Sequence, residues 1–240
     1  MDEAIELVDY LPVYFKTSEE QQYVSSLWET FEENYQHGKY QFALLAYHML
    51  MMSFVYFNIW QIKKTRPDDF TKGLIGFNRN VESEILKGTS PFSLSVVNEK
   101  IVFRFLKLIG CDNDRMGRYS KLVEVRNDAA HANGHSYFVM QSQLDEQIRR
   151  VLSAVVEIQA QSHPVILHCY KEFLALSCNV DEREYQDEKD QIREILIHEN
   201  YMSRKDLELC VNLDTAGLNY DNKDCVNVLH ETLREMYESD

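Results

Sequence analysis

Residues 40–62 read YQFALLAYHMLMMSFVYFNIWQI, a run with no charged side chain. As a helix it is long enough to cross a bilayer. A membrane span would have to place Gln41, His48, Ser53, Asn58 and Gln61 in lipid, where no water can bond them, and no second apolar run exists to shelter them. A helix that is apolar all round can instead be the central one of a bundle, wrapped by its neighbours. We adopt that reading: the aromatic residues are core packing, and no membrane is expected as a partner.

On either side of this run the chain reads as helix after helix. Ser18-Glu-Glu-Gln21 matches a capping box ahead of a helix that ends near His37-Gly38. Beyond the apolar run, 65–69 (TRPDD) forms a turn, a short element follows around Val81 to Leu86, and 88–91 (GTSP) is another break. Leu94, Val97, Ile101, Phe105 and Leu108 recur at helical spacing from Ser93 to Ile109, and Gly110 sits where a helix terminator belongs. The next helix starts at Asp112 to Asp114, keeps Leu122, Val125 and Ala129 on one stripe, and stops at Asn133-Gly134. Leu144, Ile148, Val151, Val155 and Ile158 mark a longer helix that His163-Pro164 kinks or interrupts, with a further helix from about 165 to 176.

With only 8 Gly and 4 Pro in 240 residues, the turn chemistry of a sandwich or barrel is missing. The expected fold class is all-α: a helical bundle over 1–180 and an acidic helical extension over 181–240.

The net charge of −14 argues against a general DNA-coating protein, whose bulk electrostatics need the opposite sign. The charge is uneven along the chain. Residues 100–150 hold nine cations against six anions, whereas 181–240 hold seven against seventeen. Only the middle of the chain could attract a polyanion. Five cysteines, odd in number and without a C-x-x-C pair, follow an acidic N-terminus that does not read as a signal peptide, so a reducing cytoplasm is the expected setting. Walker A, G-x-G-x-x-G, G-x-S-x-G and H-E-x-x-H motifs are absent, and with them the corresponding hydrolytic and nucleotide-binding routes.

The segment 126–131 (RNDAAH) is where a cation, two polar side chains and an imidazole crowd together, inside the net-positive stretch. Cleaving RNA without a metal needs a group that moves protons near neutral pH and a cation for the developing phosphorane charge. His131 and Arg126 meet these needs, and the arginine's planar fork can grip two phosphate oxygens. On a continuous helix the two are about 140° apart, while Asn127 and His131 share a face. Either the helix unwinds near Ala130, or two copies line a shared cleft about a two-fold axis. A bland alternative is an Arg and a His that serve only the C-terminal carbonyls and dipole of their helix. Arg115, Arg118, Lys121, Arg149 and Arg150 flank the motif, with Arg104 and Lys107 on the helix before it. They could follow an RNA backbone or form an ordinary solvated face. His131-x-x-x-His135 has metal-like spacing, but the stop at Asn133-Gly134 falls between the two and no third ligand is evident, so neither metal nor cofactor is expected. His163, His168 and Cys169 read as core or surface residues, and His48 as a hydrogen-bonded residue of the core or an interface.

Arg126-Asn127 followed by Ala130-His131, near the end of an amphipathic helix in an all-α chain, resembles the HEPN family (higher eukaryotes and prokaryotes nucleotide-binding domains). The resemblance extends over the helical body, Glu19 to Leu176, and not over the acidic C-terminal sixty residues. It implies a metal-independent endoribonuclease in which Arg126 and His131 are the catalytic pair, with Asn127 or Asp128 orienting one of them. It also implies a homodimer whose interface contains the motif, an RNA substrate, and a role in a toxin or antiphage-defence system whose antitoxin or complex subunit would be a protein partner. Some toxin members carry a Tyr two residues after the His; here that position is Asn133, which counts against that mode of regulation. A second reading keeps the bundle but makes it a catalytically silent binding or assembly subunit. In a third, the acidic extension mimics nucleic acid and restrains the site.

Overall fold

The computed structural model describes residues 1–131, 140–179, 181–215, 217 and 222–239. Among these every element is helical, apart from an isolated bridge between Pro12 and Ser203. In chain order the helices are α1 (Asp2–Ile5), α2 (Ser18–Gln36), α3 (Tyr40–Thr65), α4 (Pro67–Gly73), α5 (Arg79–Lys87), α6 (Glu99–Val102), α7 (Asn113–Ala130), α8 (Gln141–Ser177), α9 (Glu188–Gln191), α10 (Arg204–Val211) and α11 (Lys223–Ser239). Short 3-10 turns cover Glu6–Tyr10, Pro91–Val96 and Phe103–Ile109, and α9 continues as a π-helical stretch, Ile192–His198.

α3 is the centre of the bundle. It packs against α2, α7, α8 and the 91–96 turn, and its side chains from Ala43 to Ile62 are buried, except Leu45, which is half-buried, and Met49, which is exposed. Each full burial of a Leu, Ile or Phe contributes about 1.5–3 kcal/mol, which suits this helix to the middle of a core. The polar groups that argued against a span all have protein partners. Gln41 donates to the Ala129 carbonyl (2.6 Å), His48 to Glu99, Ser53 to the Met49 carbonyl, and Gln61 to the C-terminal segment, while Asn58 accepts from Ser162. Among the described residues α3 is the one helix apolar and long enough to cross a bilayer, and protein buries most of it.

Local chemistry moves several boundaries from their expected places. Thr17, not Ser18, caps α2: its extended backbone lets Oγ1 accept from the Glu20 amide at 3.1 Å. The stretch expected as one helix from Ser93 to Ile109 is three pieces. Ser90 caps the 91–96 turn through the Phe92 amide, and Asn98 caps α6 through the Lys100 amide, so short polar side chains compete with helix continuation. Gly110 ends the third piece in the left-handed region, φ 89°, as a glycine can. Pro164 does not break α8, which runs unbroken to Ser177. Both Pro164 and Ala160, whose carbonyl loses its helical donor, lie on the exposed side, where water can serve that oxygen.

Two apolar cores meet within α8. Up to Val165 its buried residues join the core around α3, while Ile166, Tyr170, Phe173 and Leu174 join Leu196, Leu207, Val226, Leu229 and Leu233 of the C-terminal segment. Cys178 at the end of α8 and Cys225 at the start of α11 form a disulfide across 47 positions of sequence, a separation that leaves no local signature, while Cys111, Cys169 and Cys210 remain free thiols. Disulfides persist in oxidising surroundings, so this pair does not favour the reducing compartment expected from the sequence.

Candidate active site at the end of α7

α7 begins where Asp112 Oδ1 accepts from the Arg115 amide, and its apolar stripe, Tyr119, Leu122, Val123 and Ala129, faces the core. The helix closes at Ala130. His131 is the capping residue, with extended backbone (φ −78°, ψ 137°), its amide donating to the Asn127 carbonyl at 3.0 Å and its residue surface exposed. The helix therefore stops between Arg126 and His131. Asn133, Gly134 and His135 lie outside the described residues.

Arg126, half-buried, points into a small network. Its Nη2 lies 2.5 Å from Glu99 Oε1, and Nε2 of His48 donates to the other oxygen, Oε2, at 2.9 Å. One carboxylate thus joins α3, α6 and α7. Burial pushes the Glu99 carboxyl up, but hydrogen bonds and attraction from His48 and Arg126 outweigh it and hold it at about 2. Asn127 is half-buried and Asp128 exposed. No hydrogen bond among the described residues joins the His131 imidazole to Arg126 or Glu99. Within one chain the structure brings Arg126 to Glu99 and His48, and leaves His131 at the surface.

The sequence reading missed Glu99. Its local signal is only that of an acidic residue after a capping Asn98, and nothing linear connects it to a position twenty-seven residues on. His48 is hydrogen-bonded, as expected.

Four of the five flanking cations line one groove of about 590 Å³ between α7 and α8: Arg118 and Lys121 on one wall, Arg149 and Arg150 on the other. Leu122, Val125 and Ala154 form apolar parts of the same lining. Arg118 pairs with Glu157 (2.7 Å), Arg150 with Glu146, and Arg149 with Glu3 (3.3 Å). Arg115 is not in the groove; its Nη1 bonds Asp112 at 3.0 Å. Arg104 and Lys107 are exposed on the 103–109 turn. His163 is exposed, and His168 faces Glu172 one helical turn away.

The acidic segment meets α3 near its other end. Gln41 bonds Ala129 near the start of α3, and Gln61 bonds Asp206 near its end; at 1.5 Å per residue the two points are about 30 Å apart along the helix.

Comparison of the chain with protein-family models, curated proteins and solved structures finds no match.

Proposed function

We propose that the chain is a metal-independent endoribonuclease of the HEPN type, acting as a homodimer in RNA restriction such as toxin or antiphage defence. The observation that carries the reading is the end of α7, where Arg126 is anchored by Glu99 and the helix stops one residue before His131, which then stands at the surface. In this mechanism His131 takes the proton of the RNA 2′-hydroxyl, or returns one to the departing oxygen. The 2′-oxygen attacks phosphorus and the P–O5′ bond breaks, leaving a 2′,3′-cyclic phosphate and a 5′-hydroxyl. Arg126 keeps further N–H donors beyond the one on Glu99 for the phosphorane oxygens. Asn127 or Asp128 orients one of the pair. The groove cations Arg118, Lys121, Arg149 and Arg150 follow the backbone of the substrate.

Because one chain leaves His131 apart from Arg126, the second copy supplies the missing partner. Phe42 (59 % exposed), next to the Gln41–Ala129 bond, and Met140 (65 % exposed), which caps α8, give that end of the bundle an apolar surface suited to self-association.

The test is structured RNA incubated with the protein in EDTA. Cyclic-phosphate ends are expected, with cleavage reduced about a hundredfold or more in His131→Ala and in Arg126→Ala. Cleavage that needs a divalent ion, or that persists in His131→Ala, overturns the proposal. Loss of dimer in Phe42→Glu by light scattering tests the pairing separately.

A second reading, a catalytically silent binding or assembly subunit of a defence or toxin–antitoxin complex, is favoured by the Arg126–Glu99 ion pair, which already occupies the guanidinium, and by the net charge of −14. RNA binding without cutting would decide for it. Removing 181–240 is a poor test of restraint by the acidic segment, because it strips the partners of Ile166, Tyr170 and Phe173 from the second core.

A further inference from the structure

A second cavity, of about 620 Å³, opens between α2, α3, the 91–96 turn and α6, and it differs in character from the basic groove. Three aromatic rings shape it. Tyr23 and Tyr56 both stand nearly perpendicular to Phe92, at 81° and 79°, with centroids 5.2 and 6.1 Å away. Two rings set nearly square to a third thus line one side of the cavity, and the electron-rich face of such a ring attracts a cation. Met49 and Met52 add an apolar, adaptable lining from α3.

Among the described residues Glu19, Glu20 and Glu99 line the cavity and no Lys or Arg does, although Glu99 is paired from behind with Arg126 and His48. Glu20 is the informative one: only 5 % of the residue is exposed, yet its donors are the hydroxyls of Ser90 (2.5 Å) and Tyr201 (2.9 and 3.0 Å), with no cation among them. Buried carboxylates are ordinarily paired with a positive group. Here no cation among the described residues pairs with Glu20, which lines the same cavity as the three rings. The field of the second carboxylate reaches the same rings. Burial, and then Glu99, raise the Tyr23 hydroxyl above its ordinary value and push Tyr56 up to about 12, with Arg126 opposing at Tyr56.

We propose that this cavity binds a small protonated alkylamine, whose ammonium group lies against the rings of Tyr23, Tyr56 and Phe92 and the carboxylate of Glu20, with its chain on Met49 and Met52. A bare metal ion fits poorly, since the cavity is far larger than a coordination sphere and its carboxylates are not gathered into a group that could hold one, among the described residues. An anion would meet three carboxylates. The cavity adjoins the Arg126 network through Glu99, and the proposal is tested without RNA, by binding alone.

The experiment is calorimetric titration of the full-length protein at neutral pH with n-pentylammonium, with 1-pentanol and pentanoate as controls for chain and charge. Saturable binding of the ammonium alone is expected, weakened about tenfold or more in Tyr23→Ala and in Glu20→Gln. Tyr23 is 38 % exposed, so its truncation leaves the core intact, and the glutamine can still accept from Ser90 and Tyr201. Far-ultraviolet dichroism and a thermal melt establish that each variant is folded. The proposal is overturned by any of three results: no saturable binding up to about 10 mM, equal binding of pentanol, or unchanged affinity in both folded variants. Nα-acetyl-lysine methylamide binding more tightly than pentylammonium would overturn the free amine as ligand in favour of a lysine side chain.

Discussion

In its first half α3 presents His48 to Glu99, and near its end it presents Gln61 to Asp206; both carboxylates tie distant segments to the same helix, and they are held in opposite ways. Glu99 has Arg126 and His48 as donors and keeps about a fifth of its side chain in water, so its carboxyl is held low, at about 2. Asp206 is wholly buried and accepts from Gln159 Nε2 (2.6 Å), Gln61 Nε2 (3.0 Å) and the Ser203 amide (2.9 Å), all neutral. Burial therefore pushes its carboxyl up, with the hydrogen bonds opposing but not cancelling the shift. The lesson is that donor count does not set the state of a buried acid; the charge of the donors does. The ionised Glu99 stabilises the candidate site, whereas Asp206 organises the junction with the C-terminal core through hydrogen-bond geometry.

The largest effect that would break this contrast is expected at the junction. Asp206→Ala leaves the Gln61 and Gln159 amides and the Ser203 N–H without their buried acceptor, and urea unfolding should show a loss of about 3 kcal/mol. Next, Glu99→Gln removes the ion pair with Arg126 and should cost on the order of 2 kcal/mol at neutral pH, with partial exposure of the pair limiting the loss.

The pH dependence sharpens the comparison because the signs differ. Since the folded Glu99 carboxyl lies below its ordinary 4.5, its contribution is present above that value and is lost as pH falls toward about 2. Asp206, raised above 3.8, contributes fully below that value and loses its contribution as pH rises through its folded-state midpoint. Stability measured against pH should therefore flatten on the acid side in Glu99→Gln, whereas Asp206→Asn should compare best with the wild type at higher pH. The same direction of change in both variants would sink the contrast.

Smaller effects follow. Gln41→Ala loses the bond to the Ala129 carbonyl, should cost about 1 kcal/mol, and should speed hydrogen exchange at the end of α7. In Arg149→Ala, stability should change by less than about 0.5 kcal/mol, because the pair with Glu3 is exposed, while the salt dependence of RNA binding should shallow by about one unit of slope.

Much of the fold was legible in the chain. The capping pattern and the His37-Gly38 stop placed α2, the uncharged run of 40–62 marked α3 as the core helix, and helical spacing placed α7 and the first half of α8. The misreadings share a cause. Periodicity reports which face is apolar, not whether the backbone stays helical, so the caps at Ser90 and Asn98 broke a stretch whose spacing was sound, and a proline on the exposed side broke nothing. Of the candidate site, Arg126, Asn127 and His131 were legible because they are neighbours. Glu99 and His48 were not read as members of it, because the carboxylate arrives from another element.

The sequence by itself determined the all-helical character, the buried helix at the centre, and the crowding of a cation and an imidazole into six residues, since each depends on residues close along the chain. Only the tertiary structure decided which carboxylate holds Arg126, that four scattered cations line one groove, that Cys178 meets Cys225, and that three rings and the buried Glu20 line one cavity. Those features are contacts between segments tens of residues apart. Their partners are chosen by packing and by the need to satisfy buried polar groups, which no local pattern encodes.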